Sequence, residues 1–79
     1  MKEKIYELLK DRSSKRIISG ISAQDVNYRL FSGKESTEKI FNMLNELAED
    51  NQAIEVYQHA GKEDRYDGTR FWLNNRKQT

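Results

Sequence analysis

The sequence predicts a single α+β domain in which three helices precede a C-terminal β-hairpin. Apolar residues recur at helical spacing along most of the chain, and from residue 53 onward they alternate with other residues, as in a half-buried strand. A chain of 79 residues has room for one hydrophobic core, so we expect one domain. The predicted elements are helices at 2–10, 22–31 and 36–50, a hairpin at 53–73 and a tail at 74–79.

The first helix is predicted from Ile5, Leu8 and Leu9, whose spacing places them on one face. The segment "DRSSKR" that follows contains turn-forming and charged residues, so we expect the helix to end before it. Ile17 and Ile18 come next, and they are enough for a short strand or a bridge.

The second helix has a well-marked start. Ser22 is a favourable N-cap residue, and Asp25 lies three positions later, where a negative charge suits the positive end of the helix. Ile21 and Val26 occupy the two positions of a hydrophobic staple around this cap. Gly33 suits the left-handed conformation that commonly ends a helix, so we expect a tight turn there.

The third helix carries the clearest amphipathic pattern in the chain. Ser32 and Ser36 are both possible caps, and Ser36 is the more usual start for the residues that follow. Three acidic residues lie between positions 46 and 50, where the helix dipole disfavours negative charge, so we expect the fold to gain nothing from them. The residues expected to face the core are Ile40, Met43, Leu44 and Leu47.

Two predicted strands form the hairpin. Ile54 and Val56 alternate with Glu55 and Tyr57, and a similar alternation runs through "TRFWL". The Asp-Gly pair in the intervening segment "QHAGKEDRYDG" could form a two-residue turn, which would make "KEDRY" part of a strand. The charges of "KEDRY" favour a loop instead. We therefore expect a long polar tip, with Asp-Gly just before the second strand.

Composition excludes several classes of protein. No apolar run approaches the ~20 residues that a membrane-spanning helix needs. The chain has no cysteine and one histidine, so disulfides and the usual zinc sites are not expected. No nucleophile–base–acid set is visible, and "GKES" lacks two features of a phosphate-binding loop, with Tyr28 in place of a glycine and Glu35 in place of a hydroxyl residue. We expect a cytoplasmic protein that is not an enzyme and has no cofactor or metal.

Two segments of the sequence carry a resemblance to a known class. The longer, "ISAQDVNYRLFSGKESTEKIFNMLNELAEDNQAIEV", gives a helix, a turn with glycine and a helix that runs into a strand. The shorter, "DGTRFWLN", gives a glycine, a basic residue and an aromatic-apolar strand. From Lys2 to Asn74 the chain resembles a winged helix-turn-helix domain, as found in small regulators and in winged modules of plasmid and phage replication proteins of the helicase or primase type.

The resemblance implies binding to duplex DNA, in transcription regulation or in replication. Residues 36–50 would be the recognition helix, with its N-terminal half in the major groove. Lys34 and Lys39 would contact phosphates, Asn42 could read adenine, and the hairpin would act as a wing along the DNA backbone or minor groove. The residues that the resemblance assigns to DNA are Lys34, Ser36, Thr37, Lys39, Asn42, Lys62, Arg65 and Arg70.

The charge of the chain supports an alternative. The formal net charge is +1, and the pI of about 8.0 lies below the value of about 9 that is typical of dedicated nucleic-acid-binding domains. Acidic residues are also interleaved with the basic residues of the wing. The alternative is a protein-interaction module. Its anchors would be four aromatic residues expected on the surface: Phe41, Tyr57, Tyr66 and Trp72. In either case we expect a monomer or a weak homodimer.

Overall fold

The computed structural model describes residues 1–17, 19–74 and 76. They form an α+β domain, which confirms the predicted class, but with four helices where three were predicted. The elements in chain order are α1 (Lys2–Ser14), β1 (Ile21–Ser22), α2 (Ala23–Phe31), α3 (Thr37–Asp50), β2 (Ile54–Gln58), α4 (Arg65–Gly68) and β3 (Thr69–Leu73).

Helix α1 extends beyond position 10, where the sequence prediction ended it. Two serines of its last turn form side-chain hydrogen bonds, one within the helix and one to the sheet. Ser14 Oγ donates to the backbone oxygen of Asp11 over 2.8 Å. Ser13 is buried, and its Oγ donates to the backbone oxygen of Leu73 in β3 over 2.8 Å. The turn-forming residues of "DRSSKR" therefore attach the end of α1 to the sheet.

The short strand after α1 lies further along the chain than predicted. Ile17 is outside it, because the Ile17 backbone N–H donates to the Arg12 oxygen over 2.9 Å and so closes the last turn of α1. Ile18, the other residue of the predicted step, lies outside the described residues. The strand that forms is β1, in which Ile21 pairs with Phe71 of β3.

The three strands form an antiparallel sheet in the order β1-β3-β2. In the β2–β3 pair, Val56 lies opposite Phe71 and Tyr57 lies opposite Arg70. Because side chains alternate between the faces of a sheet, Phe71 points toward the helices while Tyr57 and Trp72 lie on the outer face. The sheet thus has one face in the core and one face turned away from it.

The core lies between the inner face of the sheet and helices α1, α2 and α3. In the α3 stripe that the sequence predicted, Ile40 and Leu44 are fully buried, whereas Met43 and Leu47 are half-buried at its edge. The buried apolar residues are Ile5, Leu9, Ile21, Ala23, Val26, Ile40, Leu44, Ala53, Ile54, Phe71 and Leu73.

The tip between β2 and β3 contains a short helix where the sequence predicted a loop, and Asp67-Gly68 comes just before β3, as predicted. The Asp64 side chain accepts a hydrogen bond from the Tyr66 N–H over 2.8 Å and so caps the short helix α4. Gly68 ends α4 immediately before β3, in a position where a Cβ atom would collide with the Lys62 backbone oxygen and with Gln58 Nε2. The charged segment is folded instead of extended because α4 packs against α2 and α3.

Candidate nucleic-acid interface

Asn27 of α2 controls the turn that leads into α3. Its side chain is buried, and its Nδ2 donates to the backbone oxygen of Glu35 over 2.7 Å and to Thr37 Oγ1 over 3.1 Å. Its Oδ1 accepts from the Glu35 N–H over 3.2 Å. No sequence prediction included this residue. Its position one helical turn after the buried Ala23 was the available signal, because a buried polar group needs partners.

The first residues of α3 use their hydroxyl groups within the protein. Ser36 is the N-cap, and its Oγ accepts from the Lys39 N–H over 3.2 Å. Thr37 Oγ1 accepts from Asn27. Both hydroxyls assigned to DNA by the resemblance therefore position the start of α3, and each keeps its own proton for an external acceptor.

Four of the assigned residues are exposed near the start of α3: Lys34, Ser36, Lys39 and Asn42. Lys34 and Lys39 form no ion pair with a described residue. Asn42 lies one turn after Lys39, so the two side chains share a face of the helix. Glu38 is also exposed in this turn and offsets part of the positive charge.

The acidic end of α3 pairs with a lysine of α1, a contact that the sequence did not predict. Lys2 Nζ of α1 lies 3.2 Å from Glu46 Oε2 and 3.9 Å from Asp50 Oδ2. Exposed ion pairs of this kind contribute about 0–1 kcal/mol to stability. The fold therefore gains a small amount from these acids, where the sequence predicted no gain. The more important point is the distance of these acids from the start of α3. The acids lie roughly 10–16 Å along the helix from Lys39, at a rise of about 1.5 Å per residue.

Two of the three assigned wing cations are held by one carboxylate. Lys62 Nζ lies 3.4 Å from Asp67 Oδ2, and Arg70 lies 3.6 Å from Asp67 Oδ1. Arg70 Nε also donates to the Asp67 backbone oxygen over 2.7 Å, and its side chain is only 17% exposed. The structure therefore places Lys62 and Arg70 together, but with their charge partly neutralised.

Arg65, the third assigned wing cation, is brought against α3. Its guanidinium lies 4.9 Å from the Tyr66 ring centre and 5.8 Å from that of Phe41, and it donates to the Tyr66 hydroxyl over 2.9 Å. The rings of Phe41 and Tyr66 meet edge to face at 5.4 Å. Arg65 is exposed, so this contact orients a cation beside the recognition helix predicted from the resemblance.

The four aromatic residues proposed as protein anchors do not form one surface. Phe41 and Tyr66 are half-buried and pack on each other, and Phe41 also meets Phe71 of the core at 6.2 Å. Tyr57 and Trp72 lie on the outer face of the sheet instead. Tyr57 is 40% exposed, and its hydroxyl accepts from the Gly20 N–H over 3.0 Å.

An open groove of about 470 Å³ lies between α2, the start of α3 and α4. Asp25 and Asp64 line it together with Tyr28 and Tyr66. Two carboxylates without a lining cation disfavour phosphate there. The lining of this groove therefore does not suit a phosphate group.

Among the described residues, no three His, Cys, Asp or Glu side chains come together as a metal site. No helix in the described part of the chain is long and apolar enough to cross a membrane. The chain matches no protein-family model, no curated protein and no solved structure. The structure itself defines a small α+β domain with a three-stranded antiparallel sheet, an arrangement compatible with a winged helix-turn-helix.

Proposed function

We propose that this protein is a winged helix-turn-helix domain that binds duplex DNA, in transcription regulation or in DNA replication. The order of elements supports this proposal: a helix, a short strand, two helices joined by a tight turn, and two strands joined by a wing. The contact of α4 with α3 also supports it, because a winged helix-turn-helix would use the wing and the recognition helix on the same DNA.

The observation that carries the proposal is the polarity of α3. Lys34, Lys39 and Asn42 are exposed near its start, while Glu46 and Asp50 lie at its far end and pair with α1. A helix that enters the major groove by its N-terminal half needs this distribution, because phosphates attract the lysines and repel the acids. In this proposal the two lysines contact phosphates and Asn42 contacts a base edge.

The wing contributes chiefly through Arg65 in this proposal. Its packing against Phe41 and Tyr66 reduces the entropy lost when a phosphate binds, because the guanidinium is already oriented. Lys62 and Arg70 share Asp67 and would have to exchange this partner for a phosphate. We therefore assign them a smaller part of the affinity.

The test is a salt series of binding to a labelled random duplex, followed by fluorescence anisotropy. The double variant Lys34→Gln/Lys39→Gln should bind more weakly, and its plot of log affinity against log salt should be shallower by about 1.8, because each neutralised phosphate accounts for roughly 0.9 of the slope. Lys4→Gln/Lys10→Gln is the matched control, since both lysines are exposed on α1. An unchanged slope in the α3 variant, or an equal change in the control, would contradict the proposal.

The protein-interaction module remains the second candidate, and the exposed ring of Tyr57 favours it. Phe41 and Tyr66 lend it less support because they pack within the domain. Absence of duplex binding even at low salt would favour this candidate over the first. The cytoplasmic location, the monomeric or weakly dimeric state and a place within a larger helicase- or primase-type protein stay predictions.

A further inference from the structure

We propose that the outer face of the sheet is a second binding surface, which takes single-stranded nucleic acid by stacking an unpaired base on Trp72. This surface contains no residue of α3, so the inference does not rest on duplex binding. On this face of the sheet the proposed function uses only Arg70.

Trp72 borders two neighbouring hollows, one between the sheet and the end of α1 and one on the outer face. One, of about 430 Å³, is lined also by Arg16 and Ile17. The other, of about 480 Å³, is lined also by Tyr57. Arg76 lines both. Sites for small ligands typically measure about 300–1,000 Å³, so each hollow is large enough for a base with its sugar. A half-buried indole beside two such hollows offers a flat surface on which a ring can stack.

Tyr57, one of the two aromatic residues that the described part of the chain places on this face, is held in place by its contacts. The Tyr57 hydroxyl accepts from the Gly20 N–H over 3.0 Å, which ties β2 to the segment before β1. Gly20 is buried beside Tyr57, and a Cβ atom there would lie 2.6 Å from Arg70 Cβ and 2.9 Å from Tyr57 Cε1. Close packing of this kind fixes the Tyr57 ring before a ligand arrives, which lowers the entropic cost of binding.

The charge around these rings is predominantly positive. Arg16 and Arg76 are exposed beside Trp72. Arg12 lies in the last turn of α1, and its guanidinium donates to the Ser19 backbone oxygen over 3.1 Å. Burial and the nearby Arg29 lower the pKa of Arg12 below its ordinary value, while Asp25 and Tyr57 act in the opposite direction. Arginine nevertheless stays protonated at neutral pH, so the charge persists.

Acidic groups on or near this face are fewer. Glu55 lies opposite Trp72 on β2, and Asp25 lies near Arg12. The arginines on or near this face are Arg12, Arg16, Arg70 and Arg76, and Asp67 is paired with Arg70. The excess of guanidinium groups around an aromatic centre is complementary to a ligand that has both phosphates and flat rings.

A single strand fits this surface better than a duplex or an acidic peptide. The faces of bases are covered by their neighbours in a duplex, whereas an unpaired base can stack on an aromatic side chain. An acidic peptide would satisfy the arginines but has no need of the indole. Since every base has a flat face, we expect little sequence preference.

The experiment uses Trp72 as its own reporter, because it is the only tryptophan in the chain. Titration with single-stranded oligothymidylate should quench its fluorescence. In a parallel titration of labelled oligothymidylate, Trp72→Ala should lose about fivefold to a hundredfold in affinity, the range for one stacked base. Trp72→Phe should lose less than Trp72→Ala, since a ring remains. A circular dichroism spectrum of each variant checks that it is folded.

The arginines are tested by a double substitution. Arg16→Gln/Arg76→Gln should flatten the salt dependence of oligothymidylate binding by about 1.4, because each phosphate neutralised in a single strand accounts for roughly 0.7 of the slope. The control Lys4→Gln/Lys10→Gln should leave it unchanged. Equal affinity of Trp72→Ala and the wild type for oligothymidylate would overturn the inference. So would equal quenching by a polyglutamate peptide, which would assign the face to an acidic protein partner.

The two proposed binding surfaces can be tested separately. Lys34→Gln/Lys39→Gln should weaken duplex binding and leave oligothymidylate binding intact. Trp72→Ala should do the reverse. Loss of both activities in either variant would contradict two separate surfaces.

Discussion

Asn27 donates from Nδ2 to Thr37 Oγ1 over 3.1 Å, across the turn that joins α2 to α3. The same side chain both donates to and accepts from the backbone of Glu35. One buried amide therefore sets where α3 begins and how it leaves the turn. The orientation of the proposed recognition helix depends on α2 as much as on α3 itself.

Replacing Asn27 should destabilise the domain. Asn27→Ala removes three hydrogen bonds and leaves the Glu35 backbone without its partner, which should cost about 2–3 kcal/mol of unfolding free energy. Urea denaturation measures this loss. Asn42→Ala is the control, because Asn42 is exposed; it should leave stability nearly unchanged while weakening duplex binding. Equal stability of the two variants would show that the turn does not depend on Asn27.

Gly20 should not tolerate a side chain. Gly20→Ala would push a Cβ atom into Arg70 and Tyr57, which should lower the free energy of unfolding by about 1–3 kcal/mol, the usual range for overpacking. At Gly33 an added Cβ meets nothing within 4 Å, and only the positive φ of +76° opposes it. Gly33→Ala therefore measures backbone strain without a clash. In denaturant melts, a double-mutant cycle with Tyr57→Ala should show coupling for Gly20→Ala and none for Gly33→Ala, because the Gly20 Cβ position lies 2.9 Å from Tyr57 Cε1.

The contact between Tyr66 and Phe41 should hold the wing tip against α3. Tyr66→Ala removes an edge-to-face ring pair and the support under Arg65, at a cost of about 0.5–1.5 kcal/mol beyond the lost burial. Backbone amides of α4 should then exchange with deuterium faster. Tyr28→Ala serves as the control, because Tyr28 is 75% exposed. Unchanged exchange in α4 of the Tyr66 variant would mean that other contacts hold the tip.

Asp67 should limit DNA binding by the wing. Asp67→Asn removes the carboxylate that Lys62 and Arg70 share, so duplex affinity should rise and its salt dependence should steepen. Glu63→Gln makes the same change in net charge at an exposed neighbouring position. If both variants gain equally in the anisotropy assay, the gain comes from net charge and not from release of these two cations.

Local sequence signals were sufficient for the two central helices. Ser22 and Ser36 cap α2 and α3, and the Asp25 and Lys39 N–H groups donate to them. Caps and apolar periodicity act within a few residues, so they can be recognised without knowledge of the fold. The alternation along β2 and β3 likewise indicated which side chains share the inner face.

Elements with distant partners could not be located in this way. The last turn of α1 is attached to the sheet by Ser13, whose partner Leu73 lies 60 positions away. The same holds for β1, where Ile21 forms a strand because Phe71 is beside it. Turn-forming residues and isolated apolar steps have several possible structures, and packing selects among them.

For the candidate interface, the sequence by itself determined which residues lie exposed near the start of α3, because helical periodicity separates Lys39 and Asn42 from the buried stripe. Only the tertiary structure decided how the other charged residues are used. It places Arg65 over Phe41 and engages Arg70 with Asp67. Periodicity determines the face on which a side chain lies, whereas its partner depends on how distant segments pack in three dimensions.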